Sequence, residues 1–249
     1  MIEVLGLSKH YEDPDGQPIP AVTDATLTAY SGEVYGLLGP NGAGKTTTLR
    51  CLATILTPTA GTARVAGYDI RTQPELVRRH LGFMSASTGL YQRLTPRETL
   101  RFFGQLNGLH GSELERRVSA TLDLFHVTAY ADRPNDRLST GMKQRVSLAR
   151  AVVHDPPVVI LDEPTSGLDP VASQNVEEAI LELKRTGKCI LLSTHMMYQA
   201  EDLCDRLGVI GHGKVLAEGT VDDLLRQTGQ PNLRKAFFHL VGHIHLAQT

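Results

Sequence analysis

Short apolar runs recur along the chain and indicate the strands of a buried sheet. Residues 34–38, 158–161 and 189–192 contain no charged side chain and are mostly aliphatic. Continuous apolar runs of this length are typical of strands that are covered on both faces, as in a parallel sheet. Residues 1–38 have the composition of β-structure interrupted by turns, and residues 208–219 predict a hairpin that turns between two closely spaced glycines.

Segments with helical periodicity or capping signals separate these runs. Thr95 and Glu98 form a Thr-x-x-Glu capping box, which predicts a helix over residues 96–106. Ser112 begins a second signal of this kind, and residues 112–125 then carry their apolar side chains on one helical face. Further helices are predicted over residues 46–53 and 139–154 and from residue 169 onward.

The alternation of strands and helices predicts an α/β fold in which helices cross over a sheet. We expect one domain over residues 1–228, with a helical subdomain inserted at about residues 88–155. Residues 229–249 are expected to form a short C-terminal tail. Its apolar run from Ala236 to Phe238 allows a short helix that packs either on the core or on a partner.

Composition and charge argue against several classes of protein. The 249 residues have a formal net charge of −2, so the basic excess expected of a nucleic-acid-binding protein is absent. No run of about 18 apolar residues is present that could span a membrane. The first residues contain no basic segment followed by an apolar stretch, so we expect no secretory signal. These features predict a globular, cytoplasmic chain that does not have nucleic acid as its partner.

A glycine-rich loop follows the first buried run. Its eight residues fit the pattern Gly-x-x-x-x-Gly-Lys-Thr and lie between a predicted strand and a predicted helix. In this context backbone N–H groups at the helix N-terminus surround phosphate oxygens, and Lys45 can reach the β- and γ-phosphates. The Thr46 hydroxyl can bind Mg²⁺. The loop consists of Gly39, Pro40, Asn41, Gly42, Ala43, Gly44, Lys45 and Thr46.

Two acidic residues follow the apolar run at residues 158–161. In an enzyme with a phosphate-binding loop, an aspartate at the end of such a strand holds Mg²⁺, and Asp162 has this position. The adjacent Glu163 can polarise a water molecule for attack on the γ-phosphate. Together the loop and the acidic pair predict a nucleotide hydrolase.

Three further stretches make the prediction more specific. Residues 138–144 read Leu-Ser-Thr-Gly-Met-Lys-Gln, residues 166–169 read Ser-Gly-Leu-Asp, and residues 193–195 read Ser-Thr-His. In this order, and together with the phosphate loop, they resemble the ATP-binding subunit of an ABC transporter over nearly the whole chain. The resemblance implies a P-loop NTPase core of the ABC ATPase type, with an N-terminal antiparallel β-subdomain and an inserted helical subdomain.

The resemblance assigns a role to each residue of the phosphate site. It implies that Lys45 is the catalytic lysine of the phosphate loop and that Thr46 and Asp162 bind Mg²⁺. Glu163 would be the catalytic glutamate. His195 would be the switch histidine, which contacts the γ-phosphate and helps to hold the attacking water.

The resemblance also implies that two such domains pair head to tail, with each ATP held between the phosphate loop of one and the signature loop of the other. Ser139 and Gly141 map to the signature loop, and Asp169 maps to the loop that signals across the dimer. Tyr11 occupies the position of a ring that stacks on adenine. The implied nucleotide contacts along the phosphate loop are Gly39, Pro40, Asn41, Gly42, Ala43, Gly44, Lys45, Thr46 and Thr47.

The sequence departs from the family pattern in two places. The signature is usually Leu-Ser-Gly-Gly-Gln, whereas Thr140 and Met142 stand here beside the retained Ser139 and Gly141. The glutamine that normally contacts Mg²⁺ and water falls at Ala86, and alanine cannot bind a metal. A neighbouring hydroxyl group or a water molecule could substitute. The stretch around this position is similar to that of a bacterial exporter subgroup that includes sodium-efflux ATP-binding subunits.

The resemblance therefore implies an ATPase, with ATP and Mg²⁺ as cofactors, that powers a separate integral-membrane permease from the cytoplasmic face of the membrane. The second ATP-binding subunit would be another copy or a sister chain. Residues 87–101 are expected either to dock the permease or to form a capped, solvated helix. Two alternatives remain: a soluble ABC-type ATPase acting in DNA repair or on ribosomes, and a regulatory subunit with degraded hydrolysis.

Overall fold

A computed structural model of the protein describes residues 1–85 and 89–246, with side chains through residue 242. The strands are β1 (Ile2–Glu12), β2 (Pro18–Ala29), β3 (Val34–Leu38), β4 (Ala60–Val65), β5 (Tyr68–Asp69), β6 (Leu81–Met84), β7 (Val158–Asp162), β8 (Cys189–Thr194), β9 (Arg206–Gly211) and β10 (Lys214–Gly219). The helices are α1 (Lys45–Leu52), α2 (Pro74–Arg79), α3 (Pro96–Leu106), α4 (Gly111–Leu124), α5 (Thr140–Val152), α6 (Pro170–Arg185), α7 (Met197–Leu203), α8 (Val221–Thr228) and α9 (Leu233–Leu246).

Two sheets form the scaffold. The larger has the order β10-β9-β3-β8-β7-β6; all its neighbouring strands are parallel except β10, which pairs antiparallel with β9. The smaller is antiparallel, with the order β2-β1-β4-β5. Because parallel strands end at one edge of a sheet, the segments that follow β3, β7 and β8 meet there.

The apolar runs of the sequence supply both faces of the larger sheet. On β7, Val158 and Ile160 pack in the core between the two sheets, whereas Val159 and Leu161 pack in the core shared with the helices. Successive side chains of a strand point to opposite faces, so a strand covered on both sides needs an unbroken apolar run. Each fully buried aliphatic side chain contributes about 1.5–3 kcal/mol. The prediction of buried parallel strands is confirmed.

Helix α3 has the predicted bounds, residues 96–106, and the predicted capping box forms at its N-terminus. The Thr95 hydroxyl accepts a hydrogen bond from the backbone N–H of Glu98 at 3.2 Å, and the Thr95 N–H donates to the Glu98 carboxylate at 2.8 Å. This reciprocal pair satisfies two donors that the first helical turn cannot use. Helices α3, α4 and α5 all lie between β6 and β7 in the chain.

The capping signal at Ser112 was wrong. Helix α4 begins one residue earlier, at Gly111, and His110 is its N-cap without a side-chain hydrogen bond. The carboxylate of Glu115, which the capping box would turn back toward Ser112, instead accepts two hydrogen bonds from Arg101 of α3, at 2.6 and 2.8 Å. Because the helix begins at Gly111, Ser112 lies inside its first turn and cannot be the N-cap.

The C-terminal segment is a helix that packs on the chain's own core. Leu233, Ala236 and Phe237 of α9 are buried, and α9 lies against α7, α8, β9 and β10. Phe238 is exposed. Among the helices of residues 1–85 and 89–246, none is long and apolar enough to cross a lipid bilayer.

Candidate nucleotide-binding site

The phosphate loop leaves β3 and enters α1, and two of its positions admit only glycine. Gly44 has a φ of +100°, and a Cβ there would lie 2.4 Å from the carbonyl oxygen of Ala21. A Cβ at Gly39 would lie 2.4 Å from the carbonyl oxygen of Ile210. The loop is therefore pressed against two neighbouring backbone segments, and its shape requires residues without a side chain.

A cavity of about 170 Å³ opens above the loop. Residues at the N-terminus of α1 line it, where the backbone N–H groups of the first helical turn and the positive end of the helix dipole favour an anion. Its lining residues are Ala21, Asn41, Gly42, Gly44, Lys45, Thr46, Thr47 and Glu163.

Lys45 is held inside the loop by carbonyl oxygens. Its Nζ donates to the carbonyls of Gly39 at 2.8 Å and Pro40 at 3.1 Å, and it lies 3.5 Å from Oε1 of Glu163. Burial lowers the pKa of Lys45, and the carboxylate of Glu163 opposes this shift by favouring the charged ammonium. The ammonium group therefore stands at the bottom of the cavity, where phosphate oxygens can replace its present partners.

Asp162 lies at the end of β7 beside two hydroxyl groups. The Thr46 hydroxyl donates to Oδ1 of Asp162 at 3.1 Å, so both predicted Mg²⁺ ligands lie next to each other. The Ser193 hydroxyl donates to the same oxygen at 2.7 Å and accepts a hydrogen bond from the backbone N–H of Glu163 at 3.1 Å. Mg²⁺ prefers oxygen ligands such as hydroxyl and carboxylate groups, so these residues fit that ion.

The structural role of Ser193 was missed by sequence reasoning, although the residue lies within the quoted Ser-Thr-His motif. A signal was present, because a hydroxyl residue near the end of an apolar strand is unusual. Its partner could not be named in advance, since the contact depends on the register that aligns Asp162 with Ser193 across β7 and β8.

Glu163 lies between Lys45 and His195. Its Oε1 is 3.2 Å from Nδ1 of His195, which makes a hydrogen bond when that nitrogen carries the proton. Glu163 has a φ of +48°, a conformation uncommon for a residue with a side chain and often found at functional sites. Gln144 of α5 holds the turn that comes after Glu163, because its amide donates to the carbonyl of Pro164 at 2.5 Å.

Tyr11 lies at the rim of this region. Its side chain is exposed, and its hydroxyl is 3.4 Å from that of Thr47, which lines the cavity. Lys9 lies over the ring, 5.7 Å from its centroid. An exposed ring beside the phosphate loop is available for stacking against a base.

The remaining predicted residues form a separate cavity of about 490 Å³. Ser139 is the N-cap of α5 and accepts a hydrogen bond from the N–H of Met142 at 3.3 Å; Asp169 is the N-cap of α6 and accepts one from Ala172 at 2.9 Å. Gly141 also lines this cavity. Within the described ranges the two cavities share no lining residue, so the chain does not bring Ser139 to its own phosphate loop.

The position at which the family glutamine is replaced, Ala86, lies outside the described residues together with Ser87 and Thr88. The expected substitution of a hydroxyl or water for the glutamine stays a prediction.

The sequence model described as "ABC transporter" matches residues 22–166, which is more than half of the chain and contains the phosphate loop, Ser139 and Asp162. The chain belongs to the ABC transporter family. It is an ATP-binding subunit of this family and an ATPase. This places it with transport proteins and does not favour the alternative of a soluble ATPase in DNA repair or on ribosomes.

Individual relatives agree with this membership. The chain is 39% identical over 95% of its length to the ABC transporter ATP-binding protein NatA of Bacillus subtilis (strain 168), of which it covers 96%. It is 42% identical over 88% of its length to the Nod factor export ATP-binding protein I of Sinorhizobium fredii (strain NBRC 101917 / NGR234), and it spans 62% of that longer protein.

A solved structure supports the fold. The dimeric post-hydrolysis state of the ATP-binding cassette MJ0796, bound to ADP and Pi, matches with a TM-score of 0.80 and 26% identity over 88% of this chain and 98% of that one. The α/β fold of the ABC ATPase type that the sequence implied is confirmed.

Proposed function

We propose that two ATP-binding subunits, each a copy of this chain or a sister chain, close head to tail around two MgATP and so drive a separate membrane permease. The observation that carries this proposal is the separation of the phosphate cavity from the signature cavity within one chain. The phosphate cavity contains Lys45 but not Ser139, and the signature cavity contains Ser139 but not Lys45. A second subunit placed in the opposite direction would supply Ser139 to the γ-phosphate held at Lys45.

The phosphate cavity supports the binding of MgATP. Lys45 and the N–H groups of α1 would hold the β- and γ-phosphates, and Thr46 and Asp162 would hold Mg²⁺ together with phosphate oxygens and water. Tyr11 would stack on the adenine.

Glu163 and His195 support the hydrolytic role. Glu163 lines the phosphate cavity 3.5 Å from Lys45, and His195 contacts Glu163. The Glu163 carboxylate would polarise a water molecule for in-line attack on the γ-phosphate. His195 would contact the γ-phosphate and help to hold that water. Asp169, which begins α6 at the signature cavity, would connect the two sites across the dimer.

Ser139→Ala is expected to lower ATP turnover about tenfold or more while a single chain still binds MgATP with unchanged affinity, because Ser139 would act on the nucleotide of the partner. Steady-state phosphate release and equilibrium binding test this. Thr220→Ala is a matched control, since Thr220 caps α8 by the same kind of hydrogen bond. Both changes remove a cap worth about 1 kcal/mol, but only Ser139→Ala should reduce turnover. An equal loss of ATP turnover in Ser139→Ala and Thr220→Ala would contradict the role proposed for Ser139.

A groove of about 360 Å³ supports permease docking where the inserted helices meet the larger sheet. Ile55 beyond α1, Phe83 of β6 and Phe103 of α3 contribute apolar walls. Burial lowers the pKa of His154, another lining residue, to about 4, so its ring is neutral near pH 7. Arg150 lines the groove and donates to the carbonyl of Gly89. Gly89 belongs to the predicted docking segment, residues 87–101, which the structure describes from residue 89 onward.

The described part of the docking segment is also fixed to the chain that precedes the signature loop. Asn135 is buried, and its amide donates to the carbonyl of Tyr91 and to the hydroxyl of Thr99, both at 3.0 Å. Its backbone N–H donates to the carbonyl of Leu94 at 2.9 Å. A permease seated on residues 89–101 would therefore act on a segment that leads directly to Ser139.

Ile55→Asp is expected to reduce association with the permease about tenfold or more and to leave the ATP turnover of the isolated chain unchanged. Ile55 is 58% exposed, so the change should not unfold the chain, but a docked partner would remove the new carboxylate from water, which is costly for a charged group. Phe238→Asp on α9 is a control with the same exposed fraction, 58%. Equal association of the two variants with the permease would contradict docking at this groove.

We further propose that the transporter is an exporter and that the chain lies at the cytoplasmic face of the membrane. The exporter-like stretch around Ala86 and the similarity to a Nod factor export protein support this direction. Sodium is the candidate substrate on the subgroup resemblance. Transport of ²²Na⁺ into inverted vesicles that contain the chain and its permease tests it, with loss of uptake in Glu163→Gln as the control.

A further inference from the structure

A fully buried amide joins three elements of the catalytic region. Gln199 lies on α7, shortly after His195, and its side chain is 0% exposed. Its Nε2 is 2.7 Å from the hydroxyl oxygen of Thr165 and 3.4 Å from Oε1 of Glu177. Its Oε1 has no hydrogen-bond partner among the residues that the structure describes. A buried amide that leaves half of its capacity unused is costly, so its two contacts need an explanation.

The first contact reaches the turn between Glu163 and Asp169. Thr165 is 2% exposed, and the turn is closed by two backbone hydrogen bonds, from Ser166 to Glu163 at 3.1 Å and from Leu168 to Thr165 at 3.2 Å. The Thr165 hydroxyl therefore belongs to a compact turn that begins at the proposed catalytic carboxylate. By holding this hydroxyl, Gln199 fixes the helix after His195 to the segment that positions Glu163.

The second contact reaches α6, the helix that Asp169 caps. Glu177 is half-buried, and burial raises its pKa, whereas the hydrogen bond from Gln199 favours its charged form. Gln199 thus bridges the helices that follow His195 and Asp169, with the turn after Glu163 between them. It lines neither the phosphate cavity nor the signature cavity, so it can act only through these neighbours.

We propose that Gln199 is a positioning residue for ATP hydrolysis. It holds α7 against the turn at Thr165, so that His195 and Glu163 keep the spacing that places the attacking water. This inference rests on the roles proposed above for Glu163 and His195. Because Gln199 does not line the phosphate cavity, its loss should slow the chemical step without weakening nucleotide binding.

Gln199→Met tests this inference, since methionine has a similar length and flexibility but cannot donate a hydrogen bond. We expect kcat for ATP to fall about tenfold or more, with KM and the Kd for MgATP within about twofold of the wild-type values. Turnover is measured well below the unfolding temperature of each variant. Gln199→Leu is the second variant if the methionine chain does not fold. A kcat within about twofold of wild type, or an equal loss through KM, would overturn the inference.

A double-mutant cycle with Thr165→Val separates positioning from general destabilisation. Valine keeps the shape of threonine without its hydroxyl, and we expect it to reproduce much of the loss in kcat. If Gln199 acts through Thr165, the double variant should be no slower than Gln199→Met alone. Fully additive losses would mean that the two residues act independently and would overturn the inference. Gln174→Met on the exposed face of α6 is the control, and its kcat should not change.

Glu163→Gln, measured in parallel, distinguishes the possible failures. If Glu163→Gln abolishes turnover and Gln199→Met does not change it, the inference about Gln199 fails and the proposed site stands. If Glu163→Gln keeps wild-type turnover, the proposed site fails and the inference fails with it.

Discussion

Glu163→Gln is expected to lower ATP turnover about a hundredfold or more while MgATP binding is retained. The amide keeps the shape of the side chain but cannot accept a proton from the attacking water. The Glu163 carboxylate contacts Lys45 and His195, so the same group that would act on water also compensates the buried ammonium. With hydrolysis blocked, the variant should accumulate as a dimer in MgATP.

Phosphate release, equilibrium nucleotide binding and light scattering measure the three parts of this result. Glu178→Gln is the control, because Glu178 is an exposed carboxylate on α6 that lies outside both cavities, and it should behave as the wild type in all three. Wild-type turnover in Glu163→Gln would remove the catalytic assignment. A monomer at saturating MgATP would contradict the proposal that two subunits close around the nucleotide.

Lys45→Ala is expected to weaken MgATP binding about tenfold to a hundredfold. The ammonium would donate charge-assisted hydrogen bonds to the β- and γ-phosphates, and each bond of this kind contributes about 1.5–3 kcal/mol. Alanine also leaves the carbonyls of Gly39 and Pro40 without their present donor, and these carbonyls would face the phosphate oxygens. The affinity can be measured by titration calorimetry with MgATP.

Lys235→Ala serves as the control for Lys45→Ala, since Lys235 is exposed on α9 and the substitution removes the same charge. Its affinity for MgATP should equal that of the wild type. If Lys45→Ala also binds MgATP with wild-type affinity, the loop from Gly39 to Thr46 is not the phosphate site.

The sequence was sufficient to predict those elements and site residues that depend on local patterns along the chain. The run at residues 158–161 is buried on both faces as predicted, and the box at Thr95 and Glu98 begins α3. The phosphate loop, Asp162, Glu163 and His195 lie together because each stands at or just after the end of β3, β7 or β8, which are neighbouring parallel strands or share a parallel neighbour. These features depend on spacing along the chain, which the sequence displays directly.

The sequence was insufficient where partners are distant along the chain. Strands β4 and β5 were not predicted, because residues 60–69 are mostly small or polar. They are ordered by pairing of β4 with β1 and of β5 with β4. Ser112 is not the N-cap of α4, which begins at Gly111, and Glu115 pairs with Arg101 of α3 instead of with Ser112. The contacts of Ser193 and Gln199 likewise depend on strand register and helix packing. A local pattern in the sequence does not specify either of these.

Isolation of the tagged chain from gently solubilised membranes of its own host tests most directly whether it powers a permease. We expect a multi-spanning membrane protein to be recovered in a stoichiometric amount with the wild type and with Phe238→Asp, and to be lost with Ile55→Asp. The recovered permease should raise the ATP turnover of the wild-type chain. Recovery of the chain without a membrane partner, or together with ribosomes or DNA, would contradict the account.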